Sequence, residues 1–178
     1  ICTRFVYPSI SLEGSAFWMM AAAPLRLKEM LRCKLFFWLT PVILAAVTFF
    51  AAGARTIGGG PRLLAISVLC APVICWGVTS MGIGLGARFA DFKWEHPSEL
   101  VASVGGLIYM LLSLGLILVS LALVVILFWF IGLYAGSGSG LAQAAAAAAA
   151  AALILVNALA ARWSMRMGER ALGAKLSI

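Results

Sequence analysis

The side chains best suited to chemistry in this 178-residue chain are crowded into one segment, DFKWEHPSE at 91–99. Asp91, Glu95, His96 and Glu99 bring carboxylate and imidazole ligands together, yet their spacing matches no established metal motif. His96 is the one histidine present, so neither a Ser–His–Asp nor a Cys–His relay can be assembled. A turn that starts a helix accounts for the cluster more simply. Pro97 then takes the first helical position, and Glu99 in the first turn complements the helix dipole.

The other chemical signals are weaker. GIGLGARF at 82–89 has the glycine density of a nucleotide loop, but it closes a long apolar run that no strand precedes. Gly82 and Gly86 are four apart, the spacing that lets two membrane helices approach closely. A phosphate-cradling GxxxxGK[ST] loop is absent from the sequence, so any ATP chemistry belongs to another domain. The four cysteines, Cys2, Cys33, Cys70 and Cys75, show no CxxC or zinc spacing and read as reduced structural thiols. These residues imply no catalytic group, no metal and no bound cofactor, and the chain is not expected to be an enzyme.

The elements that position them are apolar. Hydrophobic residues make up 64% of the chain, charged residues 11%, and the mean hydropathy is +1.10, which excludes a soluble domain. Uncharged stretches at 35–54, 63–87, 101–134 and 141–161 each suffice to cross roughly 30 Å of hydrocarbon at about 1.5 Å per residue. The third is long for a single crossing. Gly105 and Gly106 offer a joint between a short interfacial helix at 97–104 and a crossing at 107–131, with Phe128, Trp129, Phe130 and Tyr134 at the far surface. The fourth opens with Gln143 and the alanines 144–152, good helix formers of weak hydrophobicity that need close packing. Pro41 predicts a kink in the first span.

The expected fold is therefore all-α: a polytopic membrane protein of four transmembrane helices, with an amphipathic cytoplasmic elbow at 1–34 and a basic tail at 162–178. Of thirteen Lys and Arg residues, all but Arg55 and Arg62 fall on one side of this arrangement. That side should be cytoplasmic, with both termini inside. The excess of +7 is read as anchoring beside anionic lipid, and nucleic acid is not expected as a partner. In the elbow, Pro8 and the serines at 9 and 11 can begin a short helix through Glu13 and Trp18. Pro24 ends it and begins another, with Arg26, Lys28 and Arg32 on its wetter side. The start at Ile1 reads as part of a longer polypeptide.

Two segments carry a resemblance. FVYPSISLEGSAFW at 5–18, continuing into APLRLKEMLRCKLFF at 23–37, and ARFADFKWEHPSELVASVGGLIYMLLSL at 87–114 resemble a family of bacterial ABC (ATP-binding cassette) exporter permeases of the second type. The matching positions are Pro8, Ser9, Ser11, Glu13, Gly14, Phe17, Trp18, Pro24, Lys34, Asp91, Glu95, Pro97, Glu99, Gly105 and Gly106; Ser15 departs from the pattern, where a basic residue is more usual. The resemblance covers about residues 5–130. It implies a bacterial inner-membrane location, further spans before residue 1, a separate nucleotide-binding subunit as partner, and packing against other spans or a second permease copy. It also implies coupling contacts around Glu13, Gly14, Trp18, Pro24, Arg26 and Lys28, a cytoplasmic turn at Asp91, Glu95, Pro97 and Glu99, and helix packing at Gly82, Gly86, Gly105 and Gly106. The alternative, from another class, is a non-catalytic structural or accessory subunit of a larger membrane complex. Spans without a single charge could pack against partners through small-residue faces alone.

Overall fold

A computed structural model of the chain describes residues 2–12, 27–58, 60–90, 103–137 and 140–176. Four long helices dominate it: α1 (Leu27–Thr56), α2 (Pro61–Arg88), α3 (Val104–Ser137) and α4 (Gly140–Leu176). Each is long and apolar enough to cross a membrane, and the described residues contain no strand. In hydrocarbon every backbone N–H and C=O must be satisfied within its own segment, which is why uncharged runs of this length become helices.

The helices outrun the apolar stretches. α1 begins eight residues before the uncharged run at 35 and includes Lys28, Arg32 and Lys34. α4 continues through Arg162, Arg166 and Arg170, so the segment expected as a basic tail is helical up to Leu176. At about 1.5 Å per residue, the 37 residues of α4 measure some 55 Å, far more than the hydrocarbon needs. Its last four turns extend the bundle past the apolar zone at the basic end. α1 runs through Pro41 and α2 through Pro72 without ending.

At the start of α3 the expected joint becomes a helix terminus. Ser103 caps it: the Ser103 carbonyl accepts from Leu107 N–H at 3.0 Å, and its hydroxyl accepts from Gly106 N–H at 3.3 Å. Gly105 and Gly106 therefore sit in the first turn of one uninterrupted helix that reaches Ser137. Between α1 and α2 the chain reverses through Gly58, whose φ of 69° suits a residue without a Cβ. Gly60 and Pro61 then open α2.

α2 is the central element. It packs against α4, α1 and α3, and every residue from Gly77 to Ala87 is buried. Three apolar clusters follow its length. Ile66 and Cys70 meet Leu127 of α3 and Ala149 and Leu153 of α4 toward the end that carries Arg55 and Arg62. Val78, Met81 and Leu85 meet Tyr109 and Leu116 in the middle. At the basic end Ile83 and Ala87 join Leu31, Leu35 and Leu172. The alanine run thus finds its partners: Ala149 and its neighbours let α4 lie close to α2 where larger side chains would hold it off.

One buried polar contact ties α3 to α4 within the membrane. Asn157 Nδ2 donates to Ser120 Oγ at 3.0 Å and to the Leu153 carbonyl at 2.9 Å, while Asn157 Oδ1 faces Gly77 and has no hydrogen-bond donor. A polar side chain in hydrocarbon seeks a partner on a neighbouring helix, which makes such a pair stabilising. Asn157→Ala should lower stability by about 0.5–1.5 kcal/mol, the range that interhelical side-chain bonds span in membranes. Thermal unfolding in detergent, compared with Ser120→Ala and the double variant, measures the coupling, and strict additivity of the two singles would refute it.

Candidate functional site

The described residues of the N-terminal segment are set into the bundle, with Arg4, Phe5 and Leu12 left exposed. Cys2–Val6 forms a wide helical turn and Tyr7–Ser9 a 3-10 turn, and together they insert among α1, α2 and α3. Val6, Tyr7, Ile10 and Ser11 are almost wholly buried. Within FVYPSI the side chains of Val6, Tyr7, Pro8 and Ile10 are buried by the bundle, while Phe5 stays half-exposed beside Trp38 of α1. The helix expected to start at Ser9 and Ser11 lies outside the described residues. Ser9 Oγ donates back to the Val6 carbonyl at 2.7 Å, and the Ser9 carbonyl accepts from Lys34 Nζ at 3.1 Å. Lys34 thereby pins the segment to α1.

Glycines of α2 make the room. A Cβ at Gly86 would fall on the Tyr7 carbonyl oxygen, and one at Gly82 would meet Val6 Cγ1 at 3.1 Å and the Tyr109 hydroxyl at 3.2 Å. The Gly82/Gly86 pair, expected to admit a second helix, admits the N-terminal segment and, at Gly82, the Tyr109 ring of α3. Gly105 serves the same purpose from α3, because a Cβ there would strike the Tyr7 hydroxyl and the Phe89 ring. The rings of Tyr7 and Tyr109 stack at 5.4 Å with 9° between planes, and Tyr109 Oη reaches the Val78 carbonyl at 3.5 Å. Cys2 lies against Thr79 and Tyr109, and burial pushes its thiol pKa up; burial does the same to the Tyr7 phenol.

The closest helix contact uses other glycines. A Cβ at Gly84 of α2 would fall on the Ser164 backbone of α4, and one at Gly168 would come to 2.7 Å from Gly84 O and 2.9 Å from Ala87 Cβ. Ser164 Oγ completes the crossing by donating to the Ser80 carbonyl at 3.2 Å. Nothing in the run GIGLGARF distinguishes Gly84, which meets a helix, from Gly82 and Gly86, which meet the N-terminal segment. The three simply point to two sides of one helix.

Charge gathers at this same end. Lys28 and Arg32 are exposed on α1, Arg88 ends α2, and Arg162, Arg166 and Arg170 follow one another down α4. Lys28, Arg32, Arg162 and Arg166, together with Glu169, line a cleft of about 550 Å³ whose apolar walls include Leu35, Phe36, Trp76 and Met165. Arg162 and Arg166 also border a second cleft with Arg88 and Arg170. Of the expected coupling residues, Lys28 is placed in the first cleft. Glu13, Gly14, Trp18, Pro24 and Arg26 lie outside the described residues, as do Asp91, Glu95, Pro97 and Glu99.

The family described as "Putative ATP-binding cassette" matches residues 1–175. The chain belongs to this family. The match takes in the N-terminal segment and nearly the full length of all four helices, and the family's description names an ATP-binding unit. No curated protein and no solved structure matches the chain.

Proposed function

We propose that the chain is a permease unit, or part of one, in an ATP-binding cassette exporter, and that a separate nucleotide-binding subunit supplies the energy. The observation that carries this reading is the extent of the family match: it covers a four-span bundle with no phosphate-binding loop anywhere in its 178 residues. A member of an ATP-binding cassette family so constituted does the membrane part of the work. The basic end faces the cytoplasm on this reading, in keeping with the excess of Lys and Arg there. Closure of the partner on ATP acts on the first helix near Lys28 and on the segment from Glu13 to Arg26 leading into it. Such coupling requires two states that differ in their contacts at this surface.

The deciding experiment is mild detergent purification of the native complex with identification of every chain that accompanies it. A nucleotide-binding subunit near one-to-one stoichiometry supports the exporter. A stable complex of other membrane proteins without an ATPase supports the accessory-subunit reading in its place. Within a reconstituted exporter, Lys28→Glu and Trp18→Ala should each reduce substrate-stimulated ATP hydrolysis about tenfold, within the usual range of coupling free energies. Unchanged stimulation and transport in both would remove the coupling assignment.

A further inference from the structure

We propose that the cleft between α1 and α4 at the basic end is a specific binding site for one anionic phospholipid, its phosphate held by Lys28, Arg32, Arg162 and Arg166. The inference rests on the four-span architecture alone and stands whether or not the chain belongs to an exporter.

The arrangement is built from both helices. Lys28 and Arg32 are four residues apart on α1, and so are Arg162 and Arg166 on α4, so each pair projects from one helix face. Like charges at this spacing repel, and the cost recurs on both helices. The two faces turn toward one cleft, where, among the described residues, four cations meet a single carboxylate, Glu169. An anion between them relieves the repulsion on both sides. Guanidinium groups suit phosphate especially, since their planar N–H pairs bind two oxygens at once.

The remainder of the cleft selects a lipid over a soluble anion. Leu35, Phe36, Trp76 and Met165 form apolar walls, and Phe36 is 67% exposed. The neighbouring Phe37 is 72% exposed, which continues the apolar surface along the helix. A volume of about 550 Å³ accommodates a headgroup with the first part of a chain. Depth agrees as well. The cations sit where α1 and α4 leave their uncharged stretches, which is the level of lipid phosphates. Basic pockets between helices at this level are the expected form of a lipid headgroup site.

The test is native mass spectrometry of the detergent-released protein, titrated with phosphatidylglycerol and, in parallel, phosphatidylcholine. One phosphatidylglycerol should be retained in preference to phosphatidylcholine. Lys28→Gln/Arg32→Gln should weaken that retention roughly thirtyfold, taking about 1 kcal/mol per basic residue near the headgroups. Arg88→Gln/Arg170→Gln removes the same charge from the same end but spares this cleft, and should change retention less than threefold. Lys28→Arg/Arg32→Lys should restore it. Equal losses in the two charge-removing variants would overturn the site in favour of diffuse surface attraction. Displacement of the lipid by millimolar pyrophosphate, or indifference to the headgroup, would overturn it as well. All variants change exposed side chains, and matched thermal unfolding confirms that any loss is local.

Discussion

Gly84→Val should abolish the folded bundle. A Cβ at this position would enter the Ser164 backbone and come within 2.9 Å of Met165 N, so its nearest neighbours are all main chain and no rotamer change can relieve it. The α2–α4 crossing would have to open, and with it the Ser164 hydroxyl bond to Ser80 and the contacts of Gly168. Overpacking costs about 1–3 kcal/mol where side chains can yield, and more where two backbones must part. Membrane helices are held together by such close packing, with no hydrophobic force between them to compensate. The expected outcome is loss of the monodisperse peak in fluorescence-detected size exclusion, with Gly84→Ala already lowering the unfolding temperature. Gly115→Ala and Gly132→Ala are the controls: nothing lies within 4 Å of either added methyl group. They should be neutral or stabilising by up to about 1 kcal/mol, since alanine is the better helix former. Equal behaviour at Gly84 and Gly115 would refute the close crossing.

Removal of Tyr109 should release the N-terminal segment. The side chain is fully buried, stacked on Tyr7 and in contact with Gly82 and Cys2. Deleting a buried aromatic ring typically costs about 3–5 kcal/mol, because its neighbours cannot collapse into the space. Two readouts separate local release from global unfolding. The unfolding temperature of Tyr109→Ala should fall, and Cys2 should become reactive. In the native chain burial raises the Cys2 thiol pKa, so little thiolate is present near neutral pH and maleimide labelling is slow, rising as pH is raised. In Tyr109→Ala on a Cys33→Ser background, which removes the exposed thiol, labelling at neutral pH should rise by about tenfold or more as the ordinary thiol pKa returns. A fall in stability with Cys2 still protected would mean that the segment is held by Val6, Ile10 and the Lys34 contact without help from the tyrosine stack.

Both expectations turn on features with different legibility in the sequence. The small-xxx-small spacing of Gly82 and Gly86 announced a close approach and was silent about what approaches. Tyr7 and Val6 carried a signal that can be read in retrospect: Val6 and Ile10, four apart, with Tyr7 and Pro8 between, form an apolar turn with too little polar surface to lie in water. It reads equally well as an interfacial anchor, because a headgroup layer and a protein interior accept the same side chains. Asn157 gave no directional signal either. One amide in a span must find a partner, but the partner depends on which face of α4 meets α3.

What the sequence determined by itself is what is local along the chain. Four uncharged stretches of sufficient length specify four helices, because hydrocarbon leaves the backbone no other way to satisfy its polar groups. The placement of Lys28 to Lys34, Arg88 and Arg162 to Arg170 follows from the same count: alternate crossings bring these segments to one end of the bundle. The tertiary structure decided the rest, for a physical reason. In a soluble helix the apolar face marks the buried side, but lipid and protein interior are equally apolar, so Leu35, buried, and Phe36, exposed, look alike in hydropathy. Which glycine meets Ser164, which receives Tyr7, and which pairs of cations share a cleft are questions of helix rotation. Shape at the close contacts answers them, and shape exists only once the helices are packed.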